Sequence, residues 1–518
     1  MLTNGLWDSL KKGMEVLTAA ASGGIATLCS TIIPLTGFAW IPSWCPAHNA
    51  AADLESRLSR HAHLYPPGSP GYIQGTKRWS ALDEPDIALV VEVATAEDVV
   101  ETIQYANEQS IPFVAYSGGH GTMTTLGDVE NGIEIWMHKL DSISIADDGQ
   151  TATFGGGVSS KQAMDSLWAQ GKQTVTGACE CTGLLGPALG GGHGFLQGWY
   201  GLMVDQFVSM DLVLANGTLI TLDEDSDLWW AVKGAGHNFG IVTSVTMKVY
   251  DVPHDGLWSY QSFIFTHEKV EQLYETINEV LLQDGNQPVD LINYSVFLNL
   301  PDLDPDHSVI LFAIFREGVP AVEDKYTKPF IEIGPIVTSG DKGTYHDIPT
   351  WSGFAIDSPV CMKTGLASMR FPVDLQRYNP LVQRATYDIF SSVTHQNPAL
   401  NNSMFLWEGY SLQGVQSIPA ESTAYPNRAG NLLVSPVITY EPSGLEREIE
   451  ARAFGESLRQ IVHHGSGQKE LYAYVNYAFG DEGPRSWYGY EPWRLDRLRE
   501  LKAKYDPEHR FNFYAPFT

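Results

Sequence analysis

Cysteine is scarce. The 518-residue chain has five, Cys29, Cys45, Cys179, Cys181 and Cys361, too few for a disulfide-built scaffold of this length. The Cys179-x-Cys181 pair has no second pair and no His-x-x-x-His at zinc spacing, which argues against a metal site. Positive charge is scarce too. Lys and Arg total 32 against 61 acids, for a formal charge of −29. Such a surface repels nucleic-acid phosphates and anionic membranes, and both are excluded as main partners. There is no internal repeat, no low-complexity tract and no unbroken apolar span of transmembrane length. The nearest approach is the stretch from Met14 to Trp44, which follows Lys11 and Lys12 and is broken by Ser, Thr, Gly and Pro. It reads as a signal peptide with a basic n-region or as a membrane-leaning anchor, so residues 1–44 are set apart as a leader. Sequons at Asn216, Asn293 and Asn401 accord with a secretory route; a cytoplasmic location is the alternative.

What remains is an ordinary globular balance, 43% hydrophobic and 18% charged. The length suggests two joined domains. From Asp83 to about Val252, strands and helices alternate. IALVVEVA (87–94) is an apolar strand, and Thr95 caps the helix that follows. SSKQAMDSLWAQG is a capped helix stopping at Gly171. From residue 253 to about 465 the texture changes to amphipathic stretches such as HEKVEQLYETINEVLLQ and apolar strands such as SVILFAIF. This predicts a second domain, a sheet covered by helices. The tail from about Leu471 to Phe517 is expected to return to the first domain and close the site.

Glycine marks the candidate site. Ser117-Gly118-Gly119-His120-Gly121 follows the strand FVAY; such a loop can surround a phosphate with backbone N–H groups. An ordinary turn would also use a glycine pair, but further glycines follow. Gly177, Gly183, Gly186, Gly190, Gly191, Gly192 and Gly194 flank Cys179 and His193. That density suggests backbone wrapped around a large flat or anionic ligand. A third element, KGAGHNFGIVT (233–243), runs into a strand rather than a helix, which excludes a nicotinamide Rossmann fingerprint.

These three elements, in this order, resemble the FAD domain of the vanillyl-alcohol-oxidase superfamily, and most closely its berberine-bridge-enzyme-like branch. Supporting motifs are Arg78–Trp79, VEVATAEDVV (91–100), WYGLMVDQ (199–206), VLANGTLITL (213–222), AYPNRAGNL (424–432), YVNY (474–477) and KYDPEHRFNFYAPF (504–517). The resemblance implies an α+β fold. A PCMH-type FAD-binding domain of two α/β subdomains spans 45–252. A substrate domain with an antiparallel, helix-covered sheet spans 253–465, and 466–518 returns to the FAD domain. It implies FAD held by two covalent links, from His120 to the flavin 8α carbon and from Cys179 to C6. Imidazole and thiolate are the soft nucleophiles that add to such a ring. It further places the phosphates on the backbone amides of residues 117–121, with Ser117, Gly118, Gly119, Gly121 and Thr122 among the cofactor-binding residues. Gly183, Gly186, Gly190, Gly191, Gly192, His193, Gly194, Gly240, Ile241, Val242, Asn512 and Tyr514 complete the cofactor set.

There are departures from the family pattern. Tyr116 stands where arginine is common, and Thr182 where valine or leucine faces the flavin and governs access of O₂. Cys181 is extra, and Asn427 replaces a histidine. Where relatives carry a carboxylate base, Gln416 and Ser417 are read. His193 and His237 read as structural, as do His463 and His464 at a helix end. The expected chemistry is oxidation of a small organic molecule, one of secondary metabolism, with O₂ as acceptor; some fungal relatives couple this to ring closure. Tyr477, Tyr474, Tyr200 and Asn476 are the catalytic candidates. Tyr477 leads as base, with Arg428 or Lys363 as the cation a tyrosine needs near neutral pH. The rivals are a dehydrogenase using another acceptor and a flavin-binding protein without turnover. Monomer and homodimer stay open.

Overall fold

The computed structural model describes residues 46–518 other than Asn431. The stretch Met14–Trp44, and the leader reading with it, lie outside the described residues. Residues Arg57–Thr518 form one folding unit; the described part of the other, Met1–Ser56, is helical from Pro46. Among the described residues no helix is long and apolar enough to cross a membrane.

The first sheet has the parallel strands Ile87–Glu92, Gly132–Trp136 and Phe113–Tyr116, with His63–Tyr65 antiparallel at its edge. Parallel pairing needs a crossover, and helix Ala96–Glu108 supplies one. Thr95 and Asp98 form its capping box, and Val99, Ile103 and Ala106 are its buried face. A second, antiparallel sheet runs in the order Ile143–Ile145, Thr151–Gly155, Gly240–Lys248, Phe207–Leu214, Leu219–Leu222. Its helix Ser160–Trp168 is capped by Ser159 and ends before Gly171, whose φ of +68° suits glycine.

The third sheet is eight-stranded and antiparallel, built from segments between Leu257 and Tyr440. Both its faces are covered, which is why SVILFAIF reads as a continuous apolar run. Phe263, Phe297, Phe312 and Trp407 on one face pack with helices Val270–Ile277, Asp324–Ile333, Pro380–Gln396 and Leu445–Ser466. The side chains that alternate with them, among them Tyr260, Tyr294 and Phe315, join the core that holds the glycine segments. This second face packs toward the first domain.

The C-terminal stretch lies against the first two sheets. Phe511 meets Phe113 edge-on at 5.4 Å, the Thr124 amide donates to Phe479 O at 2.9 Å, and Asn238 Nδ2 donates to Ala515 O at 3.2 Å. One sequon needs correcting. Asn293 is fully buried in strand Leu291–Leu298, so the folded chain cannot carry a glycan there, whereas Asn216 and Asn401 are exposed.

Candidate active site

Strand Phe113–Tyr116 delivers the Ser117–Gly121 loop. A Cβ on Gly118 would lie 2.6 Å from the Gly183 amide nitrogen, and Gly119 sits at φ +65°. Only glycine lets the two loops meet this closely. The amides of residues 118–121 have no backbone acceptor among the described residues, the arrangement an anionic phosphate needs. Thr122 is buried just beyond. The His120 ring stacks on Trp79 at 6.0 Å, and its Nε2 is buried without a partner among the described residues. Burial, helped by the charges of Lys363 and Arg370, pushes its pKa down to about 3, so the imidazole is neutral. An orphaned neutral nitrogen beside a row of free amides fits a flavin attachment point.

Cys179 sits on a turn: the Thr182 hydroxyl donates back to Cys179 O at 2.9 Å. It is the free thiol among the described residues. Burial pushes it up to about 12, with Arg370 pulling down and Glu408 and Glu180 pushing up. Cys181 is not a spare thiol: it is disulfide-bonded to Cys361.

The later glycines divide. Gly186 faces open space. At Gly190, Gly191, Gly192 and Gly194 the room a side chain would need is taken by Asn476, Tyr425, Met203 and Thr176. The amides of Gly190, Gly191 and Gly194 are already bonded to Pro187 O, Ala188 O and Gln197 Oε1. This run therefore serves close packing of protein on protein as well as any ligand. His193 is engaged at both nitrogens, by Gln197 and the Tyr425 hydroxyl at 2.8 Å each, so it orders the core. His237 bonds Gly186 O at 2.8 Å. Gly240, Ile241 and Val242 open the strand paired with Phe207–Leu214. Tyr514 covers Gly121 and lies 4.5 Å from the His237 ring. Asn512 accepts from the Thr518 hydroxyl at 3.0 Å.

Of the four candidate catalytic residues, the structure brings three together. YVNY is not a strand. It forms a turn closed by the Tyr477 amide donating to Tyr474 O at 2.8 Å, and the two rings meet edge-on at 5.1 Å. Asn476 ties this turn to the Tyr474 hydroxyl at 2.6 Å and to Pro187 O at 2.8 Å. Tyr200 is elsewhere, its ring stacked on Tyr250 at 3.7 Å.

Two residues that the sequence did not single out complete the cluster. Glu408, on strand Met404–Gly409, accepts from the Tyr477 and Tyr410 hydroxyls, each at 2.7 Å. Gln416 and Ser417, where a carboxylate was sought, are exposed. Burial raises the Glu408 pKa against the lowering by its phenols and Arg370. Arg370 lies 3.9 Å from the Tyr477 ring centroid and 5.6 Å from Trp79, with Nη1 buried and unpaired among the described residues. The expected cations are engaged otherwise. Arg428 is paired with Asp205 at 2.8 Å, and Lys363 donates to Lys77 O at 2.8 Å and to the Tyr116 hydroxyl at 2.5 Å. Asn427 holds Asp374 at 2.7 Å.

The FAD binding domain profile matches residues 87–223, and the berberine and berberine-like profile matches residues 473–516. The FAD-linked oxidoreductase chyH of Penicillium rubens is 46% identical over 506 residues, covering 98% of this chain and all of the relative. This chain belongs to the berberine-bridge-enzyme-like FAD-linked oxidoreductases. The fold agrees. The Physcomitrella patens BBE-like 1 structure superposes with a TM-score of 0.76 at 20% identity, over 90% of this chain and 99% of that one. Glucooligosaccharide oxidase from Acremonium strictum, with its 6-S-cysteinyl, 8α-N1-histidyl FAD, gives 0.74 at 18% identity over 90% of this chain and 99% of that one. Membership makes the chain an FAD-binding oxidoreductase, and it gives the His120 and Cys179 loops their place within the 87–223 match.

Proposed function

We propose that this flavoenzyme is an oxidase of a small organic molecule of secondary metabolism, with FAD linked to His120 and Cys179 and dioxygen as electron acceptor. The observation that carries the reading is the buried Tyr477–Glu408 pair under Arg370, whose charge acts on both His120 and Cys179. FAD, when bound, supplies the hydride acceptor and returns electrons to dioxygen.

The residues divide the proton work. Burial holds the Tyr477 phenol well above its usual range, with Glu408 adding to the rise and Arg370 opposing it. A standing tyrosinate at neutral pH is therefore not the base. Instead the Tyr477 oxygen, its own proton hydrogen-bonded to Glu408, presents a lone pair to the substrate's O–H or N–H. As that proton arrives, the phenol proton passes to the carboxylate. Arg370 over the ring favours a transfer in which the phenol proton leaves ahead of the arriving one, when transient negative charge sits on the phenol oxygen. Tyr474 and Asn476 fix the turn that aims Tyr477.

The link to FAD is tested on denatured protein. The gel band should fluoresce, and peptide spectra should place flavin on both His120 and Cys179. Complete release by acid would refute it. Stopped-flow reoxidation tests the acceptor: reduced enzyme that persists for minutes in air but reacts at once with a quinone would make it a dehydrogenase. The exposed sequons at Asn216 and Asn401 support a secretory route, which a mass shift on deglycosylation would test.

A further inference from the structure

Three sulfur atoms meet at the edge of the Cys179 turn. The Cys179 and Cys181 sulfurs lie 3.8 Å apart, and those of Cys179, Cys181 and Cys361 all lie within 4.8 Å of one another. The Cys361 end of the disulfide belongs to segment 354–363. Near its start, Phe354 O accepts from the Glu180 amide at 3.1 Å, and the Ile356 amide donates to Glu180 Oε2 at 2.7 Å. At its far end Lys363 reaches the Tyr116 hydroxyl at 2.5 Å, at the root of the His120 loop. The segment is a strap from one attachment loop to the other.

We infer that this strap, through the Cys181–Cys361 disulfide, selects Cys179 as the thiol that takes the flavin. The inference rests on the proposed Cys179 link. Two cysteines on one turn offer two nucleophiles to a single electrophilic carbon, and the disulfide removes one of them. In the attachment, the flavin C6–H bond and the thiol S–H bond give way to one C–S bond. Two protons and two electrons leave, and dioxygen takes them up as hydrogen peroxide.

The same contact carries a hazard. The Cys179 thiolate can attack Cys181, breaking the bond to Cys361, which departs as a thiolate with no net change in electrons. Burial of the Cys179 thiol keeps the thiolate rare, and flavin attachment ends the exchange by consuming it. The flavin bond and the disulfide therefore protect each other.

Unreduced peptide mapping with fragment spectra is the test. Wild-type holoprotein should carry its cysteinyl flavin link on Cys179 and none on Cys181, beside the proposed link to His120, with Cys181 bridged to Cys361. In Cys361→Ser the free Cys181 competes, and the share of flavin on Cys179 should fall to about half. The double variant Cys181→Ser/Cys361→Ser removes the rival and should restore Cys179 to the wild-type level. A single variant that keeps all its flavin on Cys179 beside a free Cys181 thiol overturns the inference. So does a double variant as depleted as the single, which would leave the strap a purely mechanical role. If Cys361→Ser does not fold, flavin-poor wild-type protein from riboflavin-limited cells decides. Held at mildly alkaline pH, it should accumulate chains with Cys179 bridged; Cys179 that stays fully alkylatable overturns the inference. Wild-type protein with no flavin on Cys179 is a separate result, against the proposed attachment itself.

Discussion

Tyr477 donates its phenol proton to Glu408 Oε1 across 2.7 Å, and Tyr410 occupies Oε2 at the same distance. Both carboxylate oxygens are thus held by phenols, and only Tyr477 of the two lies under Arg370. If protons leave the substrate through this pair, Tyr477→Phe and Glu408→Gln should each slow flavin reduction by about 10²–10⁴-fold, with FAD still attached. The double variant should be little slower than either single one, because the residues act as one relay. Stopped-flow reduction at saturating substrate reads this. A loss under about threefold in both single variants would remove the relay.

The relay has a pH signature. Burial holds the Glu408 pKa above the usual carboxylate value. The carboxylate can accept a proton only when ionised, so the reduction rate should be full above that raised pKa and fall as pH drops through it. The acid limb should sit higher than the value of about 4.3 for an ordinary glutamate. In Glu408→Gln the limb should vanish; if it stays unchanged, another group titrates.

The fold was legible where local chemistry decides it. Thr95 and Asp98 announce a capping box, and the glycines of the Ser117–Gly121 loop mark a turn that no side chain fits. The site was legible only in its local half. His120, Cys179 and Tyr477 sit in short motifs, whereas their partners arrive from far along the chain. Cys361 is 180 residues from Cys181, and neighbouring sequence does not encode a pairing at that range. Glu408 was missed by counting back from AYPNR, which lands on the short helix Gln413–Gln416 rather than on the preceding strand. A lone acid inside FLWEGY was the available signal, since a charge in a two-faced buried strand needs a reason. YVNY has too few residues to show a period, and it proved to be a turn.

Arg370 makes a separable prediction. Its guanidinium lies over Tyr477, and its charge lowers the Cys179 thiol pKa, so in the proposed mechanism one residue bears on both proton transfer and flavin attachment. A cation over an aromatic face is worth roughly 0.5–2 kcal/mol. Arg370→Gln should therefore slow flavin reduction by about tenfold at neutral pH and lower the cysteinyl-flavin share in peptide spectra. Arg370→Lys should recover part of both. An Arg370→Gln protein with wild-type reduction rate and full cysteinyl linkage would show that the charge is idle.

Asp205 and Arg428 join WYGLMVDQ to AYPNR, two of the segments that carried the family resemblance. The pair is bidentate at 2.8 and 2.9 Å, with side chains 2% and 5% exposed. Arg428 also donates to Thr423 Oγ1 at 3.0 Å and Val415 O at 3.2 Å, and Asp205 accepts from the Leu202 amide at 2.9 Å. A buried ion pair adds little against a well-packed apolar replacement, but removing one partner strands the other charge. Asp205→Asn should cost about 3–5 kcal/mol of unfolding free energy. Asp205→Asn/Arg428→Met should recover much of that loss, because no charge is left unpaired. Denaturant unfolding of the holoproteins at neutral pH, followed by tryptophan fluorescence, separates the two. Since this pair makes no hydrogen bond to Tyr477 or Glu408, folded Asp205→Asn enzyme should reduce its flavin at close to the wild-type rate. If the single variant unfolds at the wild-type midpoint, the pair does not hold these segments together; if the double variant is the less stable of the two, the hydrogen bonds to Thr423, Val415 and Leu202 matter more than the charges.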